Sequence, residues 1–150
     1  MRFMILLKAT AESEADVLPS SELLAAMGKY NEELVQAGVM RAGEGLRSSA
    51  RGARVHFSGT ERTVSHGPFS DTACLIAGFW MFDVKSLDEA IAWVRRCPFP
   101  FDGGGTAEIE IRQVFEAEDF GAAFTPEQQA AEARMRAHLQ QHGKPPGPRH

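Results

Sequence analysis

Apolar and polar positions alternate along this chain in two rhythms, one of period two and one near 3.6, and together they outline its elements. Phe3 to Lys8 reads as a first strand with apolar residues on both alternating faces. Thr10 to Pro19 is polar and predicts a loop. Leu23, Met27, Tyr30 and Leu34 then recur at helical spacing, with Leu24 and Val35 broadening the stripe. Pro19 and Ser20-Ser21 supply the start of that helix and Gly38 its stop. Val39 and Met40 begin a strand, but Gly43-Glu44-Gly45 breaks its alternation and signals a bulge or a close backbone approach. Ala53 to Phe57 and Arg62 to His66 flank Ser58-Gly59-Thr60-Glu61 as a β-hairpin. In that register Phe57 lies opposite Arg62 and Val55 opposite Val64. His66 then shares the Val55/Val64 face and His56 takes the other, an assignment that one bulge would reverse.

The longest apolar run, Leu75 to Phe82, holds Phe79, Trp80 and Phe82 and reads as a central strand. A polar loop feeds it, in which Gly67-Pro68 punctuates the chain because proline fixes its own φ and biases its predecessor away from helix. Ser86-Leu-Asp-Glu89 is a capping box that opens a second helix, with Ala90, Ile91, Trp93 and Val94 as its buried stripe. Pro98 and Pro100 end that helix by Cys97, and Phe99 to Gly105 is a loop. Glu108 to Phe115 alternates, Ile109, Ile111 and Phe115 on one face and Glu108, Glu110 and Arg112 on the other. Glu116 to Gly121 is acidic. Thr125-Pro126-Glu127-Gln128 starts a last helix that runs to about Gln141 and is poor in large apolar residues. The tail from Gly143 is rich in Pro and Gly and predicts disorder.

The order is therefore β-α-β, an inserted hairpin, β-α-β and a trailing helix. Two helices between strands of an antiparallel sheet give a ferredoxin-like α+β fold with both helices on one face. The domain spans residues 1–121, followed by a helical appendage at 122–141 and the tail at 142–150. Both alternating faces of the central strand are apolar, so something must cover the second face, and a second copy of the chain is the simplest candidate.

At 150 residues the chain is one domain by the usual prior. A formal charge of −4 gives no basic face with which to neutralise phosphates, so a nucleic-acid partner is not expected. No apolar run approaches a membrane span, and the apolar start is too short and too acidic in its flank for a signal peptide. A cytoplasmic protein is expected. Two cysteines make no disulfide framework, and Cys74 and Cys97 read as buried free thiols.

Several separated motifs resemble the YCII-related family. They are Gly43-Glu-Gly-Leu46, the turn His66-Gly-Pro-Phe69, Ala77-Gly-Phe-Trp80, Asp88-Glu-Ala90 with Trp93, and Glu110-Ile-Arg112. More narrowly they resemble the branch named for an Asp-Gly-Pro-Phe turn, as do Phe115 to Gly121 and Phe124-Thr-Pro-Glu127, so the likeness runs to about residue 139. The resemblance implies a dimeric α+β barrel, in which two ferredoxin-like sheets pack face to face and enclose a cleft. It implies an enzyme with a His-Asp pair for the name-giving protein, and a regulatory or ligand-sensing role for members associated with extracytoplasmic-function sigma factors. This chain departs from its branch where function is expected. His66 stands where the branch has Asp, and Asp71-Thr-Ala-Cys74 where it usually reads Glu-Thr-Lys-Glu.

His66 and Asp71, five residues apart across the Gly-Pro turn, can converge as a general-base dyad, the carboxylate fixing the imidazole tautomer. Equally, His66 can end a strand while Asp71 caps the turn through backbone hydrogen bonds. Glu44, Phe69 and Arg112 are the candidate ligand contacts. Glu44 sits between glycines, and Arg112 has a planar fork suited to an anion, although Glu108 or Glu110 can equally pair with it. His138 and His142 have the i, i+4 spacing of metal ligands, but no third ligand accompanies them. Gly103-Gly-Gly105 lacks the Lys-Ser/Thr of a phosphate loop. Neither a metal nor a cofactor is expected. The leading expectation is a homodimer that binds a small organic molecule near the His66 turn, with an accessory or regulatory role. The alternative is a cofactor-free enzyme, a lyase, hydrolase or monooxygenase, using His66 and Asp71 as acid and base.

Overall fold

The computed structural model describes residues 1–98 and 105–142, the last without its side chain. The readings made for the 99–104 segment, for the tail from Gly143 and for the His142 ligand lie outside those residues. The chain forms two units, Met1–Val114 and Phe115–His150.

In chain order the elements are β1 (Arg2–Lys8), α1 (Ala11–Glu14), α2 (Ser21–Gln36), β2 (Met40–Gly45), β3 (Ala53–Ser58), β4 (Glu61–His66), β5 (Ile76–Asp83), α3 (Leu87–Val94), β6 (Ile109–Gln113) and α4 (Pro126–His142). Four strands make an antiparallel sheet in the order β2-β5-β1-β6, and β3 and β4 form a separate two-stranded ribbon. That order, with α2 between the first two sheet strands and α3 between the last two, is the ferredoxin-like arrangement expected from the sequence. The polar Thr10 to Pro19 segment is not wholly a loop. Thr10 and Ser13 cap each other reciprocally and hold the single-turn helix α1.

Alternation along the strands decides where the core sits. Phe3 and Ile5 of β1 and Trp80 and Phe82 of β5 point to one face, where Tyr30 and Leu34 of α2, Val39, Val84 and Ala90 of α3 bury them. Met27, Trp93, Val94, Ile109 and Ile111 pack around this cluster. The Trp80 indole N–H donates to Asn31 Oδ1 at 2.9 Å, tying α2 to β5, and the Tyr30 hydroxyl donates to the Trp93 carbonyl at 2.8 Å, tying α2 to α3. The helical stripes are narrower than their spacing suggested. Leu24, Val35 and Ile91 are exposed, because each lies one position beyond the arc that meets the sheet. Ser20 caps α2 by accepting from Leu23 N, and Ser86 caps α3 by accepting from Glu89 N.

The β2 irregularity resolves into two features. The register against β5 shifts between Met40 and Ala42. Gly43 meets Trp80 so closely that a Cβ there would lie 2.7 Å from the indole Cδ1. Gly43 is thus where the backbone comes close, and the bulge falls just before it. In the second unit, Thr125 and Gln128 form a reciprocal cap at the start of α4, as the sequence predicts. Phe115, Phe120 and Phe124 contact one another, with ring centroids 4.9 and 5.6 Å apart. Phe115 therefore belongs to this aromatic cluster and not to the alternating face of β6. Among the described residues no helix is long and apolar enough to cross a membrane.

Only one of the two thiols is sheltered. Cys74 is exposed in a short 3-10 turn before β5, which corrects the expectation that both are buried. Cys97 is half-buried beside the core, and burial pushes its thiol up to about 11. Because the thiolate is the reactive form and Cys97 is both sheltered and held protonated, Cys97 should react with a disulfide reagent at pH 8 far more slowly than exposed Cys74. Stopped-flow thiol titration should resolve two phases, and Cys74→Ser should remove the fast one. A folded-state pKa raised above the unfolded value also means stability is full below pH 9 and falls as pH rises from there toward 11. Burial raises the Tyr30 phenol as well, so alkaline titration should destabilise the fold through both groups.

Candidate functional site

The face of the sheet turned away from the helices carries the second set of alternating residues. Pairing registers Glu44 with Phe79, Phe79 with Leu6, and Leu6 with Glu110, one row across all four strands. The next row runs Ala42, Met81, Met4 and Arg112. The centre of this face is therefore a half-buried floor of Leu6, Met4, Phe79 and Met81. Charged side chains stand at both rims. Exposed Glu44 lies on the β2 edge, and Glu110 and Arg112 lie on the β6 edge, where Arg112 Nη1 donates to Glu110 Oε2 at 3.3 Å. Arg112 thus takes the paired state that sequence reasoning had weighed against free anion binding. A separate shallow groove between α3 and β6, lined by Leu87, Ile91, Ile109 and Ile111, lies off this face.

The Gly67-Pro68 turn has a different character. Gly67 N donates to Gly52 O at 2.9 Å, and Phe69 N donates to the Ser49 hydroxyl oxygen at 2.9 Å. Ser49 in turn gives both its backbone N–H and its hydroxyl to the Glu14 carboxylate. A Cβ on Gly67 would sit 1.6 Å from the Ser49 carbonyl oxygen, so no other residue fits this packing. The turn, the 3-10 turn at Ser49–Arg51 and α1 make one hydrogen-bonded node at the root of the ribbon. Sequence reasoning missed Glu14 and Ser49, which carry no motif and meet only in three dimensions.

The ribbon register holds as read, with Val55 opposite Val64, Phe57 opposite Arg62 and His66 opposite Ala53. The intervening turn is two residues, not four, because Ser58 also pairs with Glu61. Alternation places Arg54 on the face opposite His66. Arg54 Nη2 donates to both oxygens of Asp71, at 3.1 and 3.0 Å, and its guanidinium carbon lies 3.9 Å from the centre of the Phe69 ring. The charge pair that forms at the turn is therefore Asp71 with Arg54, and a hydrogen-bonded His66–Asp71 dyad is not present. Phe69 serves as a platform for Arg54. The hydrogen bond from Arg54 holds the Asp71 carboxyl below its ordinary value. The tether is fully formed above the usual carboxylate range and is lost as pH falls through the depressed pKa. Protection factors of the β3 and β4 amides, taken against the intrinsic exchange rate at each pH, should fall over that acid window, and in Arg54→Gln they should be low on both sides of it.

Residues 1–118 match the YCII-related domain. No curated protein matches the chain. Among solved structures, it is similar to 5-chloro-2-hydroxyhydroquinone dehydrochlorinase (TftG) from Burkholderia phenoliruptrix AC1100, in complex with 2,5-dihydroxybenzoquinone. The two share 20% identity with a TM-score of 0.42, over 77% of this chain and 96% of that one.

Proposed function

The chain belongs to the YCII-related family, and we propose that it binds a small, flat organic molecule on the open sheet face, in a cleft that a second copy of the chain closes. The observation that carries this proposal is the row Glu44–Phe79–Leu6–Glu110, an apolar floor with a carboxylate at each end. Such a floor suits a ring, and carboxylates accept hydrogen bonds from donors on its rim. With Arg112 paired to Glu110, the cleft favours a neutral ligand carrying hydroxyl or amine donors over a simple anion. The protein acts as a cytoplasmic binding or accessory component, with no metal or other cofactor. The rival proposal, cofactor-free catalysis by His66 and Asp71, draws no support from the geometry, since Asp71 is paired to Arg54.

Thermal-shift screening against hydroxylated aromatics, aromatic amines and aromatic acids tests the proposal. Donor-bearing neutral rings should raise the melting temperature, and Leu6→Glu should abolish the shift. Shifts that survive Leu6→Glu would move the site elsewhere. For His66, at the root of the ribbon, His66→Ala should lower affinity for the best binder more than it lowers the melting temperature. A variant that melts earlier but binds unchanged would make His66 purely structural.

A further inference from the structure

The strand that carries Glu44 leaves the sheet in a segment fastened to the His66 turn. Leu46 N donates to Ala77 O at 2.8 Å, so the chain keeps its register with β5 one row beyond Glu44 and Phe79. Ser49 follows shortly after, and its hydroxyl oxygen accepts from Phe69 N at 2.9 Å. One hydroxyl thus joins the segment leaving the Glu44 corner of the open face to the turn that begins at His66.

A serine hydroxyl has one proton to give and two lone pairs with which to accept. With that proton turned toward Phe69 N, two hydrogens would face each other and the joint would open. Glu14 prevents this. Its carboxylate takes the Ser49 hydroxyl proton, and also the Ser49 backbone N–H at 3.1 and 3.2 Å. A lone pair of Ser49 is then left for Phe69 N. Glu14 itself is held firmly, because it closes α1, whose start Thr10 and Ser13 cap and whose approach is fixed by Ala9 N donating to Leu75 O at 3.0 Å. No residue of α1 is buried, so the short helix adds nothing to the core. What it delivers is the carboxylate.

We propose that Glu14 is a positioning residue for the ligand cleft. By orienting the Ser49 hydroxyl it holds the His66–Phe69 turn to the Glu44 corner, so that the imidazole of His66 meets the bound ligand. This rests on the ligand role of His66 proposed above and goes beyond it, because Glu14 itself touches no ligand. Without the carboxylate Ser49 can rotate its proton toward Phe69 N, and the turn loosens where His66 emerges. The core cluster contains none of these residues and is left as it was.

A double-mutant cycle on binding decides it. Calorimetry measures catechol, resorcinol and hydroquinone, neutral rings with hydroxyl donors, against the full chain and its Glu14→Ala, His66→Ala and doubly substituted variants. With the tightest of the three, Glu14→Ala should lower the affinity roughly fivefold or more, but less than about twofold when His66 is already replaced, since an effect that travels through the imidazole vanishes with it. Glu12→Ala, at an exposed position of the same short helix, should leave the affinity as it is. A Glu14→Ala protein that melts lower but binds as the parent does would overturn the proposal and make Glu14 a brace for the ribbon alone. An equal loss with and without His66 would overturn it too, while leaving the cleft in place. Should His66→Ala bind like the parent, or the unmutated chain bind none of the three rings, the ligand role proposed above is lost first and the positioning role goes with it.

Discussion

Phe79→Asp should yield a folded monomer. Phe79 sits at the centre of the open face, between Glu44 on one side and Leu6 on the other. Within a protomer its side chain turns away from the core of Trp80, Phe82 and Leu34, so a carboxylate there stays hydrated and costs folding little beyond repulsion from Glu44, roughly 1 kcal/mol or less. Across a twofold interface the same carboxylate would be buried twice without a partner. An unpaired buried charge costs about 3–5 kcal/mol, so the dimer dissociation constant should rise by roughly a thousandfold or more. Light scattering at micromolar concentration should report the 16.4 kDa of one chain, with the circular dichroism spectrum unchanged. Met81→Asp, in the next row of the same face between Ala42 and Met4, should act in the same way. A dimer that tolerates both variants would place the interface on another surface.

Gly67→Ala should be the most damaging glycine-to-alanine change among the described residues. Its Cβ would meet the Ser49 backbone carbonyl at 1.6 Å, and the position of a Cβ is fixed by its own backbone, so no rotamer relieves the contact. Relief requires the turn to move off the Ser49–Arg51 segment. That breaks the Gly67-to-Gly52 and Phe69-to-Ser49 hydrogen bonds and disturbs the Ser49–Glu14 contact beyond them. Losing two or three hydrogen bonds of about 1 kcal/mol each, with strain added, amounts to about 3 kcal/mol or more. At this chain length that is a fall in melting temperature of roughly 6–12 °C. Hydrogen exchange should show the loss concentrated in β3 and β4. Comparison with His66→Ala separates the two roles of the turn, since the glycine holds the ribbon and the histidine is expected to serve the ligand. A Gly67→Ala protein that melts within a degree or two of the parent would contradict the close packing.

The elements were legible because local rules set them. Ser20, Ser86 and Thr125 are ordinary helix caps, the Val55/Val64 register follows from period two and a short turn, and the double-faced pattern of β5 marked it as central. The ferredoxin-like order then follows from chain connectivity. Glu44 and Arg112 were also legible as candidates, since polar residues at alternating positions of edge strands must face away from the core. What stayed hidden depends on pairing between distant segments. Nothing in the sequence says that Arg54, on the far face of a ribbon, takes the carboxylate that His66 appeared to want. Met4 and Leu6 carried the missing signal, because β1 was apolar on both faces, but only the β5–β1–β6 register turns them into a floor between Glu44 and Glu110. Ile91, Leu24 and Val35 show the limit of helical spacing, which gives the direction of a stripe and not its width.

The most direct test is a crystal structure of the protein grown with its strongest binder from the thermal-shift screen. The expected result is a twofold dimer with ligand density between the two sheets, stacked on Phe79 and Leu6, its donors within hydrogen-bond reach of Glu44 or Glu110. A ligand seated in the α3–β6 groove, or on a chain whose sheet face is covered by its own C-terminal residues, would contradict the cleft.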